Sequence, residues 1–434
     1  MTFPVTKLKW VATTTAGGTP SVSEPKFWAD EGDGLAWVSI GDMSGRASVA
    51  KTGRRVSEEG IAAARLPKGA PMTLLLSMYA SLGHTAFLST EASWNQAILG
   101  INVFPSHEVR FVKYVLDAIR PTLTEIARSN TQANLNAEQV GNLILPNPPL
   151  DEQRRIADFL DAETSRIDRL VDLRRLQLLS LEERVYAAVS ETLVPGILES
   201  LQSPGPWPWM PAMAGDRPLV RLGYVCRLQN GLTIDSKRDL SGDVVTRPYL
   251  RVANVQAGHV DLESVVEITV PRDIANRTSL RPGDVLMTEG GDLDKLGRGT
   301  VWRAELPDCL HQNHVFALRP EPDRLDGDYL ALMTRTLHGR CYFESTGSKT
   351  TNLASTNSSK IMSFPIPLPS VATQRALADE VRAVIDSSQA AKRLLERQLG
   401  LLAERRQALI TAAVTGQFDV STASGRNVTE GITA

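Results

Sequence analysis

Two stretches of the 434-residue chain carry apolar residues at a sustained 3-4 spacing, from about Asp151 to Leu193 and from about Thr373 to Val414. In the first, Leu160, Ile167, Val171, Leu178, Leu181 and Val185 fall on one stripe; in the second, Leu377, Val381, Val384, Ala391, Leu395, Leu402 and Leu409 do so. That period is helical. About 42 residues at 1.5 Å each would reach roughly 60 Å, well beyond an ordinary globular helix. A continuous stripe on each predicts that the two helices pair along their length. Elsewhere the apolar runs are short and bounded by Gly, Pro, Asn and Ser, the pattern of strands and turns in a mixed α/β fold.

The same plan is written twice. Leu145-Pro-Asn-Pro-Pro-Leu150 leads into the first helix and Phe364-Pro-Ile-Pro-Leu-Pro369 into the second. Asp151-Glu-Gln-Arg-Arg-Ile-Ala-Asp158 then matches Ala372-Thr-Gln-Arg-Ala-Leu-Ala-Asp379, with Gln153 and Gln374 in register 221 residues apart. Prolines favour an extended lead-in and the first helical turn. The globular parts repeat more loosely but in one order. Val5–Val11 resembles Val220–Val225, Arg65–Leu75 parallels Ser279–Met287, and Asn95–Ile101 parallels Gln312–Leu318. Asn134-Leu135 is matched with Asn352-Leu353. The expected organisation is two globules separated by two long helices that pair as an antiparallel coiled coil, a pseudo-two-fold internal repeat. Residues 1–150 form the first globule, 151–200 the central helix, 201–370 a linker and the second globule, 371–420 the C-terminal helix, and 421–434 a disordered tail. The linker is the Pro- and Gly-rich run Ser203–Gly215.

Composition changes this picture little. Apolar content of 42% and charged content of 22% are ordinary for a globular protein. Met1 to Thr15 holds two lysines but no continuous apolar core, and no stretch of about 18 apolar residues appears, so a cytoplasmic protein is expected. Cys226, Cys309 and Cys341 are far apart and odd in number, which reads as buried free thiols without zinc. Net charge is −2, and Lys+Arg against Asp+Glu runs 13 to 12 over residues 1–150, 7 to 11 over 151–199 and 19 to 19 over 200–370. A phosphate-binding face would have to come from segregated charges rather than from an excess.

Certain residues resemble the specificity subunits of type I restriction-modification systems. They are Gly17-Gly-Thr-Pro20, Trp28, Ala36-Trp-Val-Ser-Ile-Gly-Asp-Met43, Pro148-Pro-Leu-Asp-Glu-Gln-Arg-Arg-Ile-Ala-Asp-Phe-Leu160 and Ala412-Ala-Val-Thr-Gly-Gln-Phe-Asp419. The resemblance covers the chain to about Val420. It implies that each globule is a target recognition domain reading half of a split double-stranded DNA site. It further implies that the helices set the gap and dock two methyltransferase subunits, with two restriction (motor-nuclease) subunits joining for cleavage. S-adenosylmethionine would belong to the methyltransferase partner, ATP and Mg to the restriction partner, and no cofactor to this chain. The second half departs from the pattern: Asn230-Gly-Leu-Thr233 only loosely echoes the Gly-Gly-Thr-Pro turn, and Tyr249-Leu-Arg-Val-Ala-Asn-Val255 stands where Trp-Val-Ser-Ile has no equivalent.

Catalytic patterns fail on inspection. Asn147-Pro-Pro-Leu150 looks like an amino-methyltransferase motif but ends in Leu and has no Gly-rich cofactor loop before it, so it reads as a helix lead-in. Gly347-Ser-Lys-Thr350 lacks the rest of a phosphate loop. Asp284, Glu289, Asp292 and Asp294 lack the Asp/Glu-x-Lys step of a metal nuclease, and His311 and His314 read as polar positions that could touch DNA. No catalytic or metal residue is expected. Bases are read by Arg, Lys, Asn or Gln, and phosphates by any well-placed cation or hydroxyl. The candidate contacts are Lys51, Arg54, Arg55, Asn95, Gln96, Asn130, Gln132 and Asn134 in the first half. In the second they are Arg251, Asn254, Lys295, Arg298, Gln312, Asn313, Lys349 and Asn352. Trp37, Trp94 and Trp302 are expected in the core. The competing readings are a helical scaffold binding protein partners only, which the near-neutral charge favours, and a self-contained DNA methyltransferase or nuclease.

Overall fold

The computed structural model describes residues 3–79, 81–128, 134–198, 219–234, 240–291, 296–349 and 354–422. The expected linker and all but the first two residues of the expected tail lie outside them. The long helices run Leu150–Leu193 and Val371–Thr415, within three residues of the bounds read from periodicity. Ser370 opens the second, its hydroxyl accepting from the Thr373 N–H at 3.2 Å.

The chain forms two compact units, Met1–Arg174 with Glu396–Ala434, and Arg175–Leu395. This division cuts through both long helices instead of falling at their ends, because each helix buries one half in each unit. In the first unit Ile156, Ala157 and Leu160 share a core with Leu409, Ile410, Ala413 and Val414, while Asp168 pairs with Arg406 at 3.2 Å and Phe159 packs on Phe418. As one helix runs up the other runs down. In the second unit Val189 and Leu193 share a core with Ala378 and Val381, and Glu182 pairs with Lys392 at 2.8 Å, again antiparallel.

Within each unit the duplication is topological. The first holds a five-stranded sheet in the order Ala12–Ala16, Ile98–Val103, Leu74–Ser77, Thr85–Leu88, Ser48–Val49. The second repeats its first four places with Cys226–Asn230, Val315–Pro320, Val285–Thr288 and Gly299–Val301. Each proline exit is itself a strand: Ile144–Pro146 pairs with Val5–Lys7, and Pro365–Pro367 with Leu219–Arg221. A Pro without an N–H is tolerated in such short two-stranded pairings.

The matched glutamines explain why this register is kept. Gln153 is 2% exposed and Gln374 wholly buried. Gln153 Oε1 accepts from the Glu108 N–H at 2.9 Å and its Nε2 donates to the Pro148 carbonyl at 2.9 Å. Gln374 does the same toward the Asp326 N–H and the Pro369 carbonyl, both at 2.8 Å. One side chain thereby satisfies a donor at the start of a neighbouring helix and an acceptor in its own lead-in, groups that burial would otherwise leave unpaired.

One sequence match is corrected. The Leu135 N–H donates to Met78 and the Thr356 N–H to the corresponding Glu289, and Asn136 and Asn357 each cap the short helix that follows. The counterpart of Asn134-Leu135 is therefore Ser355-Thr356, not Asn352-Leu353; those two positions lie outside the described residues.

The second core contains a titratable group. His338 is wholly buried, stacked on Phe364, with Nε2 donating to the Pro365 carbonyl at 2.5 Å. Burial pushes its imidazole down to about 4. The folded value lies below the unfolded one, so stability is complete above about 6.5 and is lost as pH falls toward 4. The linkage amounts to about 2 kcal/mol between pH 7 and pH 5. Urea unfolding of wild type and His338→Gln at the two pH values checks this: the variant's pH difference should be smaller by that amount, and an unchanged difference would refute it.

Candidate nucleic-acid interface

Some of the candidate contacts gather at one sheet end in each unit. In the first, strand Leu35–Val38 pairs antiparallel with Arg54–Val56 on one side and parallel with Ala92–Trp94 on the other. Strand Leu35–Val38 runs into a short helix, where Asp42 Oδ2 accepts from the Ser39 N–H at 2.9 Å and hydroxyl at 2.7 Å. Asp42 Oδ1 accepts from the Gly53 N–H at 3.0 Å, tying down the loop that carries Lys51 and leads into the strand that Arg54 opens. Opposite them the Asn95 N–H donates to the Val38 carbonyl, opening the turn with Asn95 and Gln96.

Gly17 completes this frame. Its missing side chain lets the chain lie against the Trp94–Asn95 peptide: a Cβ there would sit 2.2 Å from the Asn95 carbonyl oxygen and 2.3 Å from that of Trp94. The Gly18 N–H then donates to the Trp94 carbonyl at 2.9 Å, and the Thr19 hydroxyl donates to Gln96 Oε1. The second unit repeats it. A Cβ on Gly231 would sit 2.2 Å from the Gln312 oxygen and 2.3 Å from that of His311, and the Leu232 N–H donates to His311 at 2.8 Å. Strand Val244–Leu250 pairs parallel with Leu310–His311, as its counterpart does, and Asn254 Oδ1 accepts from the Arg251 N–H at 2.8 Å as Asp42 does from Ser39. Leu250-Arg-Val-Ala-Asn254 is therefore the structural equivalent of Val38-Ser-Ile-Gly-Asp42, an equivalence its side chains disguise.

Several candidates are corrected by burial or bonding. Asn254 is wholly buried, with Nδ2 donating to the Asp261 carbonyl at 2.9 Å, so its amide shapes the turn and faces no ligand. Arg55 is half-buried and its guanidinium donates to the Asp33 and Gly34 carbonyls. His311 is wholly buried, Nδ1 bonded to the Val315 carbonyl at 2.7 Å, and burial lowers its pKa, which removes it from any surface. Lys51 and Arg54 remain exposed and make no ion pair among the described residues, Arg54 lying 5.1 Å from the Trp28 ring centroid. Gln96 is exposed; Asn95, Asn134, Arg251, Gln312 and Asn313 are half-buried. Asn95 Oδ1 accepts from the Ala97 N–H and Arg251 donates to the Ser264 carbonyl, each at 3.0 Å. Arg298 is half-buried on a cleft elsewhere in the second unit. Asn130, Gln132, Lys295, Asn352 and the side chain of Lys349 lie outside the described residues. Thr19 and Trp28, to which residue type alone assigned no contact role, join the first cluster.

The remaining residues singled out are structural. Trp37, Trp94 and Trp302 are 7%, 1% and 1% exposed, so they belong to the core. Asp284 is buried against Arg319, and His314 pairs with Glu289. Cys226 and Cys309 are buried, which pushes both thiols up to about 12; Cys341 is half-buried. Among the described residues no three His, Cys, Asp or Glu are grouped to hold a metal ion, and no helix is long and apolar enough to cross a membrane.

Residues 2–178 match the family described as the type I restriction modification DNA specificity domain. The chain is 24% identical over 319 residues to the type I restriction enzyme EcoKI specificity subunit of Escherichia coli strain K12, covering 73% of this chain and 66% of that protein. It is 27% identical over 177 residues to the EcoR124I/EcoR124II specificity subunit of Escherichia coli, covering 37% and 42%. Neither match reaches two thirds of the relative's own length. In three dimensions it resembles a chain solved in work on complex assembly and conformational transition of the type I R-M system, with TM-score 0.72, 19% identity, and 96% and 98% of the two chains covered. It also resembles the HsdS subunit of Thermoanaerobacter tengcongensis, with TM-score 0.53, 18% identity, and 96% and 97% covered. The family matched over residues 2–178 and the relatives matched elsewhere are of the same kind as the resemblance drawn from the sequence, and the fold is shared with the two solved chains.

Proposed function

We propose that the chain is the recognition subunit of a type I restriction-modification complex and reads a bipartite DNA site, one half with each duplicated globule. The supporting observation is that two sheet ends share one backbone frame, built on Gly17 and Gly231, yet present different side chains. Thr19, Gln96 and Arg54 stand at one, and Asn313 and Arg251 at the other. A shared frame carrying unlike polar groups suits two unlike half-sites. The long helices would dock two methyltransferase subunits and, for cleavage, two restriction subunits. S-adenosylmethionine would be bound by the former, and ATP and Mg by the latter, in the cytoplasm where the DNA lies.

Co-expression with the cognate methyltransferase subunit and mapping of methylated adenines tests the reading: a split motif with a fixed gap is expected, and modification without any motif would overturn it. The exposed cations give a second check. Each Lys or Arg on a phosphate contributes close to one unit to the salt dependence of binding. Lys51→Glu with Arg54→Glu is therefore expected to weaken binding by the assembled complex and to reduce the slope of log K against log salt by about 2. An unchanged slope removes both residues from the interface.

A further inference from the structure

The second unit holds a cationic cleft distinct from its recognition end. Arg335 follows the helix Gly327–Met333 and is half-buried. Among the described residues its guanidinium makes no ion pair and no side-chain hydrogen bond. Three neighbouring acids are engaged elsewhere: Asp328 holds Arg303 and Arg382, Glu182 holds Lys392, and Glu344 holds Arg340. Of the other acids lining the cavity, Glu305 accepts from the Arg303 N–H at 2.8 Å, and Asp386 forms no ion pair among the described residues, with Arg335 or any other cation. Arg298 lies close enough that its charge, after burial itself, pushes the Arg335 pKa down. Gly258, at φ +85°, faces the group; a Cβ there would approach Nη1 to 3.1 Å. Cavities of about 440 and 570 Å³ both open on Arg335.

A guanidinium partly withdrawn from water beside a like charge is less favourable than a free one, and an anion would offset that cost. The guanidinium's planar fork matches a tetrahedral oxyanion through two parallel N–H donors. We infer that Arg335, with Arg298 beside it, forms an anion site that takes a phosphate group. The adjoining space, within the range of small-ligand pockets, admits a phosphate that carries a larger body, and Val185, Val189 and Ile385 give part of that space apolar walls. The site is independent of the DNA-reading proposal. The phosphate could belong to a small molecule or to a nucleic-acid backbone, and the experiment separates them.

Thermal unfolding of the full chain is followed during titration with inorganic phosphate, against chloride at matched ionic strength, and separately with a duplex of unrelated sequence. The expected result is a phosphate-dependent rise in midpoint that Arg335→Met weakens by about tenfold in apparent affinity and Arg335→Lys weakens less. A rise that depends on Arg335 with the duplex but not with phosphate assigns the group to a nucleic-acid backbone. In phosphate-free buffer Arg335→Met should melt no lower than wild type, since it removes an uncompensated charge. A lower midpoint with an undiminished phosphate response, or no Arg335-dependent rise with either probe, overturns the site.

Discussion

Gly17→Ala is expected to destabilise the first unit by about 2–4 kcal/mol and to abolish reading of one half-site while sparing the other. The added methyl would sit 2.2 and 2.3 Å from two carbonyl oxygens of the backbone, which cannot swing aside as a side-chain tip can. The segment must move away by more than an ångström, losing the Gly18 bond to Trp94 and the contact between Thr19 and Gln96. A loss of that size is a large fraction of ordinary domain stability. Gly400→Ala is the matched control: it lies inside a helix with nothing within 4 Å of its added methyl, so it should stabilise by up to about 1 kcal/mol. Denaturant unfolding gives the energies, and methylation mapping on single half-sites gives the function. A Gly17→Ala protein as stable as wild type would show that the close approach is relaxed in solution.

Asp284→Ala is expected to cost the second unit about 3–5 kcal/mol. The carboxylate is 1% exposed; it accepts from Arg319 Nε at 2.8 Å and Nη2 at 2.7 Å, and from the Arg281 N–H at 2.8 Å. Truncation leaves the Arg319 guanidinium half-buried without its counter-charge, and a buried ion facing no partner costs more than the pair contributes. Asp284→Ala combined with Arg319→Met should therefore unfold at higher denaturant than Asp284→Ala alone. If the double variant is no better, the loss comes from the Arg281 turn and not from the ion pair.

These two residues also mark what sequence could and could not convey. Gly17 stood in a recognisable run, and its counterpart Gly231 was visible as a weaker echo; the three-dimensional equivalence is closer than the letters suggest because it rests on backbone contacts. The long helices were legible to within a few residues because a 3-4 stripe and a proline lead-in are local signals. Asn254 misled for the opposite reason. A polar residue near a strand end looks like a surface contact, and only the fold shows its amide spent on Arg251 and Asp261. The spacing Arg251-x-x-Asn254, like Ser39-x-x-Asp42, was the available clue, since a side chain three residues on that returns to the backbone is a capping geometry. Asp284 and Arg319 lie 35 positions apart, and nothing local joins them. The helix pairing was predicted, but not that each helix is shared between two compact units.

That sharing sets the order in which the molecule can be finished on the ribosome. Arg175–Leu395 is one uninterrupted segment, whereas the core around Leu74, Leu99 and Phe111 stays open until Leu409, Ile410, Ala413 and Val414 emerge. At common synthesis rates the interval between Arg174 and Val414 is on the order of 10–50 seconds. The half that is made first is therefore completed last, and for that time its apolar face is in the care of whatever binds nascent chains.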